Sequence, residues 1–158
     1  MAPPPPRISD DGSVADYVLP RVPASAGALL HDGEGRILIL KPTYKAGWTI
    51  PGGQIEEDGE SPWEGCRREV VEETGLVVDP AALGEAVHHR VTTFPWGDVV
   101  YEQSEDYFVL RVDSHVVDTS GFDDVETAAV IGHRWWDRSD LAATGERYYP
   151  RELLELLP

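Results

Sequence analysis

Cysteine is nearly absent from this chain of 158 residues: Cys66 is the only one, so no internal disulfide can form. It reads as a small buried apolar residue, not a nucleophile. No apolar run approaches the length of a membrane-spanning helix. The start, Met1-Ala2-Pro3-Pro4-Pro5-Pro6-Arg7, lacks the hydrophobic stretch of a secretory signal, so a cytoplasmic location is expected. Basic residues are scarce, 13 against 29 acidic, for a net charge of −16. That balance argues against a broad basic surface for bulk nucleic acid or an anionic membrane. It leaves a nucleotide open as partner, because a divalent cation reverses the sign of the field locally.

The length suits one domain with a substantial core. Residues 1–20 read as a weakly structured leader: Pro3–Pro6 favour an extended polyproline conformation and Asp10-Asp11-Gly12-Ser13 a turn. Residues 21–158 read as a single domain, and nothing repeats. Runs rich in β-branched residues predict a hairpin, Ala24–His31 and Arg36–Lys41, around the turn Asp32-Gly33-Glu34-Gly35. Ile37–Leu40 is apolar throughout, as in a strand covered on both faces. Further strands are expected at Trp48–Ile50, Glu85–Thr93, Tyr101–Asp113 and His133–Trp136, with short helices at Ser139–Thr144 and Arg151–Leu157. This order predicts an α/β fold, a mixed sheet with helices on its faces.

The segment that carries chemistry lies between the third strand and the fourth. Ser61 is a suitable N-cap, Pro62 fits the first helical position, Glu64 completes a capping box, and Gly75 can end the helix in a left-handed turn. The spacing therefore predicts a helix over Pro62–Thr74. Trp63, Cys66, Val70 and Thr74 share its inward stripe, with Glu73 at the edge. Glu69, Glu72 and Glu73 fall within roughly a third of a turn of one another at 100° per residue. Like charges so spaced repel. Three convergent carboxylates supply the hard oxygen donors that Mg²⁺ or Mn²⁺ prefers.

The run Arg68-Glu69-Val70-Val71-Glu72-Glu73-Thr74-Gly75-Leu76, seven residues after Glu60, resembles the second half of the Nudix box. The box opens on a glycine five residues before its first glutamate. Here six residues separate Gly53 from Glu60, so the loop Gln54–Gly59 carries one extra residue. A loop absorbs such an insertion without altering the register of the helix.

The resemblance implies an α/β/α sandwich and hydrolysis of a nucleoside diphosphate linked to another group. It implies Mg²⁺ or Mn²⁺ held by Glu69, Glu72 and Glu73, with a backbone carbonyl at Gly52. Glu72 is either a ligand or the general base, and Asp123, Asp124 and Glu126 on a later loop are alternative bases. Arg68 and Glu60 are expected to pair and fix the glutamates. Lys41, Lys45 and Gly53 are candidate substrate contacts. Tyr44, Trp48 and Trp96 are aromatic surfaces that could stack on a base, with core packing the better reading for Trp48. A homodimer is left open. In the family, a proline shortly after the box accompanies ADP-ribose as substrate, and a tyrosine further on accompanies dinucleoside polyphosphates. Pro95 lies 19 residues past Leu76, and Thr93 stands where that tyrosine would be. Elimination leaves a nucleoside triphosphate, as in MutT-type relatives, ahead of a nucleotide sugar. A nucleotide sensor without turnover is the reading from another class. The histidines show no metal-ligand spacing, and His88 and His89 should face opposite sides of a strand.

Overall fold

The structure, a computed structural model, describes residues 19–43, 46–56, 59–79, 81, 86–120, 122 and 130–158. Residues 1–18 of the expected leader lie outside that set. Among the described residues eight strands form one mixed sheet: β1 (Ser25–His31), β2 (Ile37–Pro42), β3 (Trp48–Thr49), β4 (Gly52–Gln54), β5 (His88–Trp96), β6 (Val99–Arg111), β7 (Val130–Trp136) and β8 (Tyr148–Tyr149). The order is β5-β6-β1-β2-β3-β8, with β4 beside β1 and β7 beside β2. Strand β1 runs parallel to β6 and antiparallel to β4.

Two helical layers cover the sheet because its strands are apolar on both sides. On one face Ala26, Ala28, Leu30, Leu38 and Phe108 pack against Cys66 and Val70 of α1 (Pro62–Thr74). On the other, Leu29, Ile37, Ile39 and Trp136 meet Leu141 of α2 (Arg138–Ala143) and Leu153 of α3 (Leu153–Leu156). The result is the α/β/α sandwich.

Helix α1 has the predicted bounds. Ser61 Oγ accepts from the Glu64 N–H at 3.2 Å and Glu64 Oε2 accepts from the Ser61 N–H at 2.9 Å. Gly75 ends the helix at φ 74°. Two short strands escape sequence reading. β4 has three residues, two of them glycine, and β8 has two, so neither carries an alternating pattern. The later strands are displaced. β5 runs on to Trp96, β6 begins at Val99 and ends at Arg111, and β7 begins at Val130, because pairing along β5–β6 and β2–β7 extends past the β-branched cores of these segments. Helix α2 begins and ends one residue earlier than the expected Ser139–Thr144, and α3, Leu153–Leu156, is shorter than the expected Arg151–Leu157 at both ends.

The β1–β2 turn is fastened by Asp32, whose side chain is 2 % exposed. Its Oδ1 accepts from the N–H groups of Glu34 and Arg36, and its Oδ2 accepts from Arg36 Nε at 2.8 Å. Burial alone would raise the carboxyl pKa, but those N–H groups and the guanidinium outweigh it and hold the value below the ordinary range. A depressed value means stability that is fully present above an unfolded pKa of about 4 and is lost as pH falls through the folded one. Asp32→Ala should cost about 2–4 kcal/mol at pH 7, since hydrogen bonds to a charged group contribute roughly 1.5–3 kcal/mol each. Urea unfolding should show the gap to wild type shrinking at pH 3. A gap independent of pH would mean that the carboxylate charge does not hold this turn.

Candidate active site

The site begins with two strands brought close by glycine. Strand β4 lies so near β1 that a Cβ on Gly52 would stand 2.4 Å from Ala26 O and 2.7 Å from Gly27 Cα. On the next residue the approach is from the helix side: a Cβ on Gly53 would stand 2.5 Å from Glu69 Oε1 and 2.7 Å from its Cδ. The glycine pair therefore allows a carboxylate of α1 to rest directly on the β4 backbone. One turn further along α1, Glu73 Oε2 accepts the N–H of Gly52 at 3.2 Å.

Arg68 organises the other acidic groups. Its Nε and Nη2 donate to the two oxygens of Glu60 at 2.8 and 2.9 Å, a fork-to-fork pair. Nη2 also donates to the Gln54 carbonyl at 3.0 Å, so the pair grips the end of β4. Nη1 donates to Glu69 Oε1 at 3.0 Å and to Glu72 Oε2 at 3.3 Å. Glu56 lies 3.7 Å from Nε. The hydrogen bond to Glu60 keeps Arg68 charged well above the usual range, and the same bond holds the Glu60 carboxyl below it.

Glu69 differs. Burial pushes its carboxyl pKa up, Arg68 offsets this in part, and the Glu73 carboxyl is in hydrogen-bonding contact with it. Two carboxyl groups in contact need a proton or a cation between them. Burial likewise pushes the Cys66 thiol up to about 12, helped by Glu69 and Glu73, which makes it inert as a nucleophile near neutral pH.

Hard oxygen donors with more negative charge than Arg68 can neutralise fit a divalent cation. Glu69 and Glu73 are the pair gathered at the glycine turn. Glu72 is not drawn in with them: it leans toward Arg68 and its side chain is 41 % exposed. Among the described residues no three His, Cys, Asp or Glu side chains already form a cluster able to hold a metal.

Glu73, Gly52 and Gly53 lie on the rim of a cleft of about 380 Å³ that runs across the sheet end to Arg90, Glu105 and Tyr107. Lys41 is not among its lining residues. Its ammonium group sits 5.4 Å from the centre of the Trp48 ring, because alternation along β2 points Leu40 and Pro42, not Lys41, to the cleft. Trp48 packs edge-on against Trp136 at 5.4 Å, a core contact. Tyr44, Lys45, Asp58, Asp123, Asp124 and Glu126 lie outside the described residues, as does the Trp96 side chain. His88 and His89 do face opposite ways, one stacked on Tyr107 and the other bonded to Asp106. Arg90, Gln103, Glu105 and Tyr107 were not legible as site residues, since they share no motif and meet only through the β5–β6 register.

The NUDIX domain model matches residues 21–157, and the chain belongs to the Nudix hydrolase family. A MutT-like protein of Streptomyces ambofaciens is 41% identical over 54 residues, 34% of this chain and 34% of that protein. The matched segment thus spans about a third of that relative's length. Among solved structures, the E. coli dihydroneopterin triphosphate pyrophosphohydrolase aligns with a TM-score of 0.64 at 19% identity, covering 87% of this chain and 96% of that one. The NUDIX domain of Shewanella oneidensis NrtR, complexed with ADP ribose, aligns with a TM-score of 0.66 at 17% identity, covering 94% and 96%. These two likenesses show the shared fold.

Gly53→Ala tests how Glu69 is seated. The new methyl meets the mobile end of a side chain, so the melting curve should stay close to wild type while the carboxylate is displaced. Mn²⁺ affinity, followed by electron paramagnetic resonance, should fall roughly tenfold or more, as when a supporting contact of a metal ligand is lost. Undiminished affinity would show that Glu69 does not bind the cation from this position.

Proposed function

We propose that this protein hydrolyses the diphosphate linkage of a nucleoside diphosphate derivative with Mg²⁺ or Mn²⁺, and that its substrate is a nucleoside triphosphate. One observation carries the reading: Glu69 and Glu73, on successive turns of α1, meet the Gly52–Gly53 backbone at the rim of a cleft of nucleotide size.

Glu69 and Glu73 would hold the cation, with Glu72 able to join them by leaving Arg68, and the Gly52 carbonyl is a further candidate ligand. Bound there, the cation supplies screening of the phosphate oxygens and a more acidic water. The chain's own residues do the rest. Arg68, clamped by Glu60, orients Glu69 and Glu72 and limits their mutual repulsion. Gly53, which lines the cleft beside Glu69, is the candidate substrate contact on the glycine turn. Lys41, over Trp48, is not placed to share that contact. Glu72, the more exposed carboxylate, is the base candidate within the helix, and Asp123, Asp124 and Glu126 remain the alternatives on the later loop.

Within this class the nucleoside triphosphate comes first because neither Pro95 nor Thr93 fits the marks of the other substrate groups. A nucleotide sugar stands second, and the ADP ribose bound by the Shewanella domain of the same fold keeps it in view. A sensor without turnover would not need the whole glutamate set, and all of it is present. The charge balance speaks against bulk nucleic acid as partner. Among the described residues no helix is long and apolar enough to cross a membrane. We place the protein in the cytoplasm.

Hydrolysis of a nucleotide panel should stop in chelator and return with Mg²⁺ or Mn²⁺, and full turnover in chelator would refute the mechanism. Glu73→Gln and Glu69→Gln should each lower kcat by roughly a hundredfold or more with the fold retained. The double variant should lose far less than the product of the two, because both act on one cation. Glu64→Gln keeps its cap as an amide and should stay near wild type. If Glu64→Gln were inactive and Glu73→Gln active, the catalytic face of α1 would be the wrong one.

A further inference from the structure

The far wall of the cleft is built from paired side chains that the hydrolytic chemistry does not use. Arg90 Nε donates to Glu105 Oε2, and Arg90 Nη1 donates to Glu152 Oε1 at 2.8 Å. Tyr107 Oη donates to the same Glu105 Oε2 at 2.8 Å. Tyr107 is buried, with His88 stacked at 5.9 Å and Arg90 at 5.4 Å from its ring centre, so its ring is fully engaged. Burial and the neighbouring Glu105 push its hydroxyl pKa up, so it stays a donor. Three donors and two acceptors thus fix Arg90 and Glu105 in place.

What this fixing leaves over is specific. Glu105 Oε1 accepts no hydrogen bond among the described residues, and neither does Arg90 Nη2 donate one. Both residues line the cleft, where Arg90 is the only cation among the described lining residues. With Glu105 and Glu152 beside it, Arg90 carries no surplus positive charge for a phosphate. The wall instead offers one strong acceptor next to one oriented donor. Its position is set by the sheet: Gly52 pairs with Gly27 on β1, and Gly27 pairs with Tyr107 on β6. Two strand spacings, roughly 10 Å, therefore separate the glycine turn from this wall. That is about the reach of a nucleoside from its 5′ oxygen. The cleft is also lined by the apolar side chains of Leu40, Ile50 and Pro150.

We infer that Arg90 and Glu105 are specificity-determining residues, which recognise the organic group of the substrate through an O–H or N–H donor lying beside an acceptor atom. This rests on the proposed hydrolase reading for the phosphate end, and it adds which end of the substrate faces β5 and β6. Two parts of a nucleoside offer that chemistry: the ribose diol and the hydrogen-bonding edge of a base, such as the N1–H and O6 of guanine or the N6–H and N7 of adenine. A half-buried carboxylate oxygen discriminates between ligands, because an analogue lacking the donor leaves it unpaired.

Binding measurements test this without turnover. By calorimetry, wild type should bind GMP more tightly than inorganic pyrophosphate in the presence of Mg²⁺. Glu105→Gln and, separately, Arg90→Lys should weaken GMP at least tenfold and leave pyrophosphate within twofold. AMP and 2′-deoxy-GMP distinguish the sources. A penalty that 2′-deoxy-GMP shares with GMP assigns the base edge, of guanine alone if AMP escapes it, and one absent from the deoxynucleotide assigns the ribose. Either pattern supports the inference. It is overturned if folded Arg90→Lys, checked by circular dichroism, binds GMP like wild type, if both probes weaken equally, or if wild type does not prefer GMP to pyrophosphate. The Mg²⁺-dependent hydrolysis of the nucleotide panel by wild type is read separately. Its failure would remove the hydrolase reading while the binding pattern still decides the role of the wall.

Discussion

Arg68 is the interaction on which the rest of the site depends. Four carboxylates, from Glu56, Glu60, Glu69 and Glu72, lie within 4 Å of its guanidinium nitrogens, at 3.7, 2.8, 3.0 and 3.3 Å. One planar cation with several donors in fixed directions can satisfy such a set, where a lysine ammonium would act as a single point charge. The fork to Glu60 fixes the guanidinium plane, and the remaining donors then fix Glu69, Glu72 and the Gln54 carbonyl. Strand β4, Glu60 and the carboxylate-bearing side of α1 are thereby tied together.

That unit is left deliberately short of positive charge. Glu73 is turned away from Arg68 to the Gly52 N–H, and Glu69 touches both Arg68 and Glu73. Burial raises the Glu69 carboxyl pKa, and Arg68 and the contact with Glu73 offset this in part. A divalent cation held between the two carboxylates would neutralise both and keep each deprotonated. The glycine pair serves the same end from the other side: a side chain at residue 53 would occupy the space in which the Glu69 carboxylate rests.

Legibility followed the range of the contacts. The helix, its capping box, its buried stripe and the side of Glu69, Glu72 and Glu73 are set by residues three and four apart, and they were readable from Ser61 to Gly75. The hairpin turn at Asp32 was readable for the same reason. The short strands β4 and β8 were not, because they exist only through pairing with β1 and β3. The position of Lys41 over Trp48 was not legible for a related reason: proximity in sequence to the glycine turn does not fix the face on which a strand residue emerges. The pair Arg90 and Glu105 spans 15 residues and reaches 62 residues on to Glu152, so only the folded sheet makes it visible.

The sheet also explains why recognition and chemistry sit at opposite ends of one cleft. Ser25, Ala26 and Gly27 pair with β4 on one side and with β6 on the other, so three consecutive residues set the distance between the carboxylate pair and the far wall. Gly27 has room for no side chain there, as a Cβ would stand 2.6 Å from Ile50 Cδ1 and 3.3 Å from Tyr107 Cδ1. The two ends can then vary independently. The glycine turn and α1 are bound together by Arg68, and the β5–β6 wall is bound to α3 by Arg90 and Glu152, and among the described residues the hydrogen bonds of Arg68 and those of Arg90 share no partner. A change of substrate at the wall leaves the metal-binding face untouched, which is the arrangement expected of a fold that serves one reaction with many organic groups.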